Sequence, residues 1–385
     1  MRKSIIRSSF AFALAGLTGC GAAPAGEGAT AAGLTQAAVT CGVSNIFKIS
    51  TDVASIKSAD LNGDGIVDVI LGNTSDNVVT VLLGQAGGGY APARSVPFGF
   101  ADEAEEFDVG DLNGDGKPDL VIAKGYDFAS VAVLLGNGDG SFTIAISDLD
   151  VHPGAGAGPD GVRIADFNGD GKADFATLNV NEPTISILLG DGTGKFAAPI
   201  IVTQLGGGEG DLFAADLNGD GKLDLIDSSG FVLGNGDGTF KSKTAFDYPS
   251  VAVGDFNGDG HIDIAGQTFH DTVVKNTFVR TATAELLLNK GDGTFAAPKV
   301  VLSGPATNFF TEHMVAAADF DHDGKLDLFS TVGNKGNFLF GAGDGTFARQ
   351  QQVGSAQLAV GADRASGEAF WYAWNTSALQ TVSCK

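Results

Sequence analysis

Four oxygen-bearing side chains recur at one fixed spacing. Asp60, Asn62, Asp64 and Asp68 hold positions 1, 3, 5 and 9 of Asp60-Leu-Asn-Gly-Asp-Gly-Ile-Val-Asp68. The same positions carry Asp111, Asn113, Asp115 and Asp119, then Asp166, Asn168, Asp170 and Asp174. Further copies place Asp216, Asn218, Asp220 and Asp224, then Asp255, Asn257, Asp259 and Asp263, and last Asp319, Asp321, Asp323 and Asp327. In a tight loop such side chains converge, and the glycine at position 6 permits the sharp turn. Position 7 adds a main-chain carbonyl, from Ile66, Lys117, Lys172, Lys222, His261 and Lys325 in turn. A hard cation that takes about six to eight oxygens in flexible geometry suits this set, and calcium is that cation. Bare carboxylates at contact distance would repel one another. One copy alone would pass for an Asx-Gly turn; six copies in register favour a metal.

The residues after each loop exclude an EF-hand. Asp stands at position 9, and no Glu stands at position 12. Asp68 is followed by Val-Ile-Leu, Asp119 by Leu-Val-Ile-Ala and Asp224 by Leu-Ile. Short apolar, β-branched runs ending at Gly, Asn or Ser predict strands rather than helices. Successive first aspartates lie 39 to 64 residues apart, the scale of a propeller or solenoid repeat. Between the loops lies a second motif, Leu-Leu-Gly-x-Gly-Asp-Gly-x-Phe or a relative. It spans Gly136 to Phe142, Gly190 to Phe196, Gly234 to Phe240, Gly291 to Phe295 and Gly341 to Phe347, with a weaker copy from Gly84 to Tyr90. Gly-Asp-Gly between an apolar run and an aromatic predicts a hairpin.

One repeat therefore reads strand, calcium loop, strand, variable connection, strand, hairpin, strand. Four antiparallel strands make one propeller blade. A seventh repeat is concealed: Leu358-Ala-Val-Gly-Ala-Asp363 matches Val315-Ala-Ala-Ala318-Asp319 but lacks the later ligands. The expectation is an all-β, seven-bladed β-propeller over residues 41–385, with no calcium in the last blade. That blade has no fourth strand of its own, and Val43 to Ser50 would supply it from the N-terminal side.

The two interleaved motifs resemble the FG-GAP/VCBS family, which includes the β-propellers of integrin α-subunits. The resemblance covers residues from about Cys41 onward. It implies a calcium-binding propeller that recognises a protein or carbohydrate partner, and leaves the ligand open. Some related calcium propellers are lyases, dehydratases or phospholipases, so it leaves catalysis open too.

Residues 1–19 read as an address. Arg2, Lys3 and Arg7 precede the apolar run Phe10 to Leu17, which is too short to span a bilayer. The sequence Leu17-Thr18-Gly19-Cys20 resembles a bacterial lipobox, in which Cys20 would carry the lipid; an ordinary secretory signal is the alternative. Residues 20–40, rich in Ala and Gly, read as a flexible tether. Localisation to a cell envelope follows, at an outer membrane or cell surface, with the lipid as the only membrane contact. Of three cysteines, Cys41 and Cys384 then form an even pair at the two ends of the folded region. Antiparallel closure would set them side by side for a disulfide, which an oxidising compartment permits; two free thiols are the alternative.

The net charge of −23 argues against nucleic acid, which needs a basic face. Much of the charge lies in the loops, where six divalent ions would cancel twelve charges. No His-Glu-x-x-His, Gly-x-Ser-x-Gly, phosphate-binding loop or Cys-x-x-Cys occurs. His261 and His322 fall within loops, with their rings expected to face solvent. His152, His270 and His313 fall on connections at the opposite ends of the strands. Those connections differ in every repeat, and they hold Phe98, Phe100, Phe309 and Phe310. Variable connections on a uniform scaffold are where contacts to a ligand can be built, although drift alone would give the same variety. The expected function is a monomeric, envelope-anchored binding or adhesion module for a surface glycan or extracellular protein. A carbohydrate-active enzyme on the same scaffold is the alternative, and clustered acids with histidine would be its mark. A purely structural envelope protein is a third reading.

Overall fold

The computed structural model describes residues 41–384 outside fifteen short segments: 49–52, 74–76, 100–103, 105, 126–128, 153–157, 180–183, 204, 206–211, 275–276, 307–314, 333–335, 354–359, 363–368 and 374–377. The expected signal, Cys20, the tether, Phe100, Phe309, Phe310 and His313 lie outside the described residues, as does the loop segment of the seventh repeat after Ala362. Among the described residues the strands fall into four-stranded antiparallel sheets.

Chain order begins with β1 (Cys41–Lys48). Sheet one follows as β2 (Val53–Ala59), β3 (Asp68–Asn73), β4 (Val78–Leu82) and β5 (Arg94–Pro97). Sheet two is β6 (Glu106–Gly110), β7 (Asp119–Ala123), β8 (Ser130–Gly136) and β9 (Phe142–Asp150). Sheet three is β10 (Pro159–Ala165), β11 (Asp174–Asn179), β12 (Thr184–Leu188) and β13 (Ile200–Val202). Sheet four is the smallest: β14 (Phe213–Ala215), β15 (Asp224–Asp227), β16 (Gly230–Val232) and β17 (Thr244–Ala245). Sheet five is the tallest: β18 (Ser250–Gly254), β19 (Asp263–Val274), β20 (Thr277–Leu287) and β21 (Lys299–Pro305). Sheet six is β22 (Val315–Ala318), β23 (Asp327–Ser330), β24 (Gly336–Gly341) and β25 (Phe347–Val353). Then come β26 (Val360–Ala362), β27 (Ala369–Ala373) and β28 (Ala378–Cys384), which form a sheet with β1 in the order β1-β28-β27-β26. The β1–β28 register sets Cys41 opposite Cys384.

Each four-residue motif starts a strand for a local reason. The ninth loop residue is the first residue of the second strand in all six loop-bearing sheets. The apolar residues after it are buried on both faces; sheets two to five each pack against a neighbouring sheet on either side. Hence the runs are continuous rather than alternating: β3, β7, β11 and β15 are buried throughout. The core is accordingly a series of layers between successive sheets. Leu120 and Ile122 of sheet two pack with Ile70 and Val81 of sheet one, and Phe175 and Leu188 of sheet three pack with Val121 and Val133 of sheet two. First strands adjoin one another: β2 lies against β6, β6 against β10, β18 against β22, β22 against β26, and β26 against β2.

The first strands also carry charge that apolar patterning did not reveal. Lys57 of β2 bonds Glu106 of β6 at 2.9 Å, both about 3% exposed. Arg163 of β10 donates through Nε and Nη2 to the Leu212 carbonyl at 2.8 and 2.6 Å, and its Nη1 lies 3.5 Å from Asp108 of β6. Asp108 also accepts the Ile164 amide at 2.8 Å. These pairs tie sheets one to four edge to edge. Pairing of this kind offsets part of the cost of burying the charges.

The hairpin glycine has a close-approach role. A Cβ on Gly136, Gly190, Gly234 or Gly341 would lie 2.1 Å from the carbonyl oxygen of loop position 8. No side chain fits there. Gly190→Ala should therefore cost about 3 kcal/mol through overpacking, read as the shift of the denaturant midpoint at fixed calcium. A loss below about 1 kcal/mol would mean that the backbone yields at this contact.

Candidate functional site: the six acidic loops

Each loop is built by its own side chains. In the first, Asp60 Oδ1 accepts the amides of Gly63 (2.7 Å) and Asp64 (3.2 Å), and Oδ2 accepts that of Gly65 at 2.8 Å. Asn62 Oδ1 accepts the Asp64 amide, and Asp64 Oδ1 that of Ile66. Loops two to five repeat the whole pattern; loop six repeats the bonds to Asp319 and Asp323. The backbone thus curls around the first aspartate. The position-5 carboxylates are exposed in all six loops, and the position-9 carboxylates are buried in all six.

The ninth aspartate joins two motifs that are distant in sequence. Asp68 Oδ2 accepts the Leu61 amide at 2.8 Å, and its Oδ1 accepts the Gly84 amide of the hairpin at 2.7 Å. Asp119 does the same with Leu112 and Gly136, Asp174 with Phe167 and Gly190, and Asp224 with Leu217 and Gly234. Asp327 does so with Phe320 and Gly341. In sheet five Asn289 replaces the glycine: its amide bonds Asp263, while Nδ2 donates to the Leu217 and Ile262 carbonyls. Loop and hairpin therefore lie at one end of each sheet. Successive sheets are also stitched there, because Gly194, Gly238, Gly293 and Gly345 donate to carbonyls of the preceding sheet's loop.

Burial raises the ninth aspartates above the usual carboxylate range, and the neighbouring loop carboxylates add to the shift. Asp174, Asp224 and Asp263 are pushed up to about 6 and Asp327 to about 7; Asp68 and Asp119 move in the same direction. Hydrogen bonds from two amides oppose the shift without cancelling it. By contrast, the main-chain amides of Lys117 and Lys172 hold Asp115 and Asp170 low. The hairpin aspartates Asp191, Asp237 and Asp292 are also held low, by the hydroxyls of Thr193, Thr239 and Thr294.

The donor set suits a hard cation. In loop six, oxygens of Asp319, Asp321 and Asp327 lie within 4.8 Å of one another. Asp321 Oδ1 is buried without a hydrogen-bond partner, while its Oδ2 pairs with Arg349. The Oδ2 of each first aspartate and both oxygens of each ninth aspartate accept a single amide, which leaves each of them a second lone pair. The position-7 side chains have a separate use: Lys117, Lys172, Lys222 and Lys325 lie over Gly138, Gly192, Gly236 and Gly343 of their own hairpins. His261 covers Gly291 in the same way, so its ring is half-buried rather than turned to solvent. His322 is exposed, as expected, and has φ +59° where the other loops have glycine.

At the opposite ends of the strands the expectations fare unevenly. Phe98 is fully buried in the layer between sheets one and two, so it is core and offers no ligand contact. His152 is half-buried. The variable connection of the fifth repeat, in which an insertion of about Phe269 to Arg280 is expected from the sequence, extends the sheet. It continues β19 and β20 in paired register out to Val274 and Thr277, with His270 exposed on it. Sequence reasoning missed Tyr248 and Glu285, whose side chains meet near His270; no local pattern marks them.

Comparison with curated proteins finds no match. Among solved structures, an Agrocybe aegerita lectin specific for non-reducing terminal N-acetylglucosamine is similar at 22% identity and TM-score 0.57, over 80% of this chain and 81% of that one. A Bacillus licheniformis rhamnogalacturonan lyase aligns at 15% identity and TM-score 0.47, over 90% and 72%. The V. cholerae biofilm matrix protein Bap1 aligns at 13% and 0.45, over 86% and 77%. Residues 60–122, 111–177, 166–226 and 277–330 match the FG-GAP-like repeat. The first three matches start at the first aspartate of an acidic loop and the fourth contains the sixth loop; together they cover more than half of the sequence, so the chain belongs to the FG-GAP-like repeat family.

Proposed function

We propose that this chain is a calcium-stabilised, seven-bladed β-propeller that acts as an extracytoplasmic binding module for a glycan or protein. One observation carries the reading: every loop-bearing sheet ends in the same acidic loop and hairpin, while its other end differs from sheet to sheet. A uniform end serves the scaffold, and a varied end can serve recognition. The lectin with this fold illustrates that such a scaffold can host sugar recognition, although fold alone does not assign it.

The adjacency of β26 with both β2 and β22 supports a closed ring of seven blades in residues 41–385, with β1 as the outer strand of the last. The Cys41–Cys384 register supports a disulfide at that closure, since directly opposed antiparallel residues have Cα atoms about 4.5–5.5 Å apart, within the range of a bridge. Residues 1–19 as a lipoprotein signal, Cys20 as the lipidated residue and 20–40 as a tether complete the reading, with the protein held at a bacterial cell surface.

Calcium would be held by positions 1, 3, 5 and 9 and the position-7 carbonyl, where it neutralises carboxylates that otherwise repel. The sign of the pH dependence follows. A ninth aspartate whose folded pKa is raised contributes stability below its unfolded value near 4, and that contribution fades as pH rises through about 6 to 7. In chelator the melting temperature should therefore fall between about pH 4 and pH 7; saturating calcium should abolish the slope. At a hundredfold excess over Kd, each occupied site adds about 2.7 kcal/mol. A melt at pH 7.5 that ignores both calcium and EDTA would refute the metal reading.

A glycan array with residues 41–385, run in calcium and in EGTA, tests recognition. Calcium-dependent binding to a related group of sugars is expected; a blank array from folded protein turns the search to protein partners. Non-reducing peptide mapping should join Cys41 to Cys384, and recovery of both as free thiols would exclude the bridge.

A further inference from the structure

Sheets four and five are neighbours of very different height. Both β15 and β19 start at a ninth loop residue, but β15 has 4 residues and β19 has 12. Their partners β16 and β20 have 3 and 11. The hairpin of sheet five thus runs about eight residues, roughly 26 Å, past the end of sheet four.

Opposed residues of an antiparallel pair share a face, and alternate residues stay on it. Ile264 and Leu287 of sheet five lie on the face toward sheet four, in one apolar layer with Phe231 and Tyr248. Continuing outward, the same face holds Gly266 opposite Glu285, Thr268 opposite Thr283, and His270 opposite Thr281. The face therefore turns from apolar to polar where sheet four stops. Tyr248, in the link between the two sheets, marks the boundary. Its ring fills the space where a Cβ on Gly266 would come within 2.5 Å. Its hydroxyl donates to Glu285 Oε2 at 2.9 Å.

Glu285 is a nearly buried carboxylate, with its side chain 12% exposed. Thr283 donates to Oε1 at 3.3 Å, and His270 Nε2 stands 3.8 Å from the same oxygen. The His270 ring is 57% exposed, so the cluster reaches the surface through it. Burial and the Glu285 bond push the Tyr248 phenol up, which keeps it a donor. Burying a carboxylate against hydroxyls costs free energy that an apolar pair at the same place would not. Lys243, the lysine nearest to Tyr248 along the chain, donates to the Ser229 hydroxyl, and Arg280 pairs with Asp271.

We propose that Glu285, Tyr248, His270, Thr268, Thr281 and Thr283 form a binding site for a neutral saccharide in the notch above sheet four. The inference rests on the glycan reading of the variable edge and gives it a location. Glu285 Oε1 has a lone pair left to accept a sugar hydroxyl, His270 offers a second polar contact, and half-buried Thr268 and Thr281 line the wall above buried Thr283. Glu285, with Asp247 and Asp271 close along the chain, disfavours uronates and other acidic sugars.

The test uses the calcium-loaded protein and panels of immobilised neutral and uronate-containing oligosaccharides. Wild type should bind neutral members and not the uronates. His270→Ala removes an exposed ring, and Thr268→Trp fills the notch without touching Glu285. Each should weaken neutral-sugar binding at least tenfold at an unchanged melting temperature. If wild type binds and both variants bind within twofold of it, this site is wrong while the glycan reading stands. Preference for uronates would overturn the charge argument and the site with it. If folded wild type binds no sugar, both the site and the glycan reading fall.

Discussion

The ninth loop aspartate is the joint on which each repeat depends. One carboxylate closes the acidic loop through the amide of position 2, and its other oxygen captures the first amide of the hairpin, 10 to 26 residues further along. Two motifs that look independent in the sequence are thereby one structural unit. The hairpin glycine clears the carbonyl of loop position 8, and in sheet five Asn289 presents the same amide in its place. A buried anion that receives two amide bonds is well oriented but poorly compensated in charge. That imbalance is what a divalent ion beside it would correct.

Fixing one end of every sheet in this way frees the other. Sheet four can shrink to strands of two to four residues, and sheet five can extend to 12, without disturbing the stitched end. Differences in height between neighbours then create notches and ledges with no change in the scaffold. Tyr248 shows how such a step is finished: its ring completes the apolar layer below and its hydroxyl serves the polar surface above.

The first strands follow a different logic. Sheets one to three place Lys57, Glu106, Asp108 and Arg163 where sheets five and six use Val, Ala and Ser. Ion pairs with directional bonds accept one neighbour and one register, whereas small apolar side chains tolerate several. The charged strands can therefore specify the order of the sheets on one side, while the apolar strands close the packing on the other.

The sequence alone determines the loops, the strand starts, the repeat and its four-strand content. All of these arise from neighbours along the chain: alternate side chains converge in a tight turn, and β-branched runs pleat. Asp60 to Asp68 can be read in isolation because its bonds are within itself. The partner of Asp68 Oδ1, the burial of Phe98, the seat of His261 on Gly291 and the pairing of Lys57 with Glu106 could not be read so. The first and third join a loop to the hairpin of its own sheet and form only when that sheet assembles; the other two form only when sheets stack. The clustering of Tyr248, Glu285 and His270 depends further on the relative heights of two adjacent sheets. Chemistry within a loop is written in local spacing; chemistry between loop and hairpin, or between repeats, is decided by tertiary packing, because it depends on which segments and faces meet and where one of them ends.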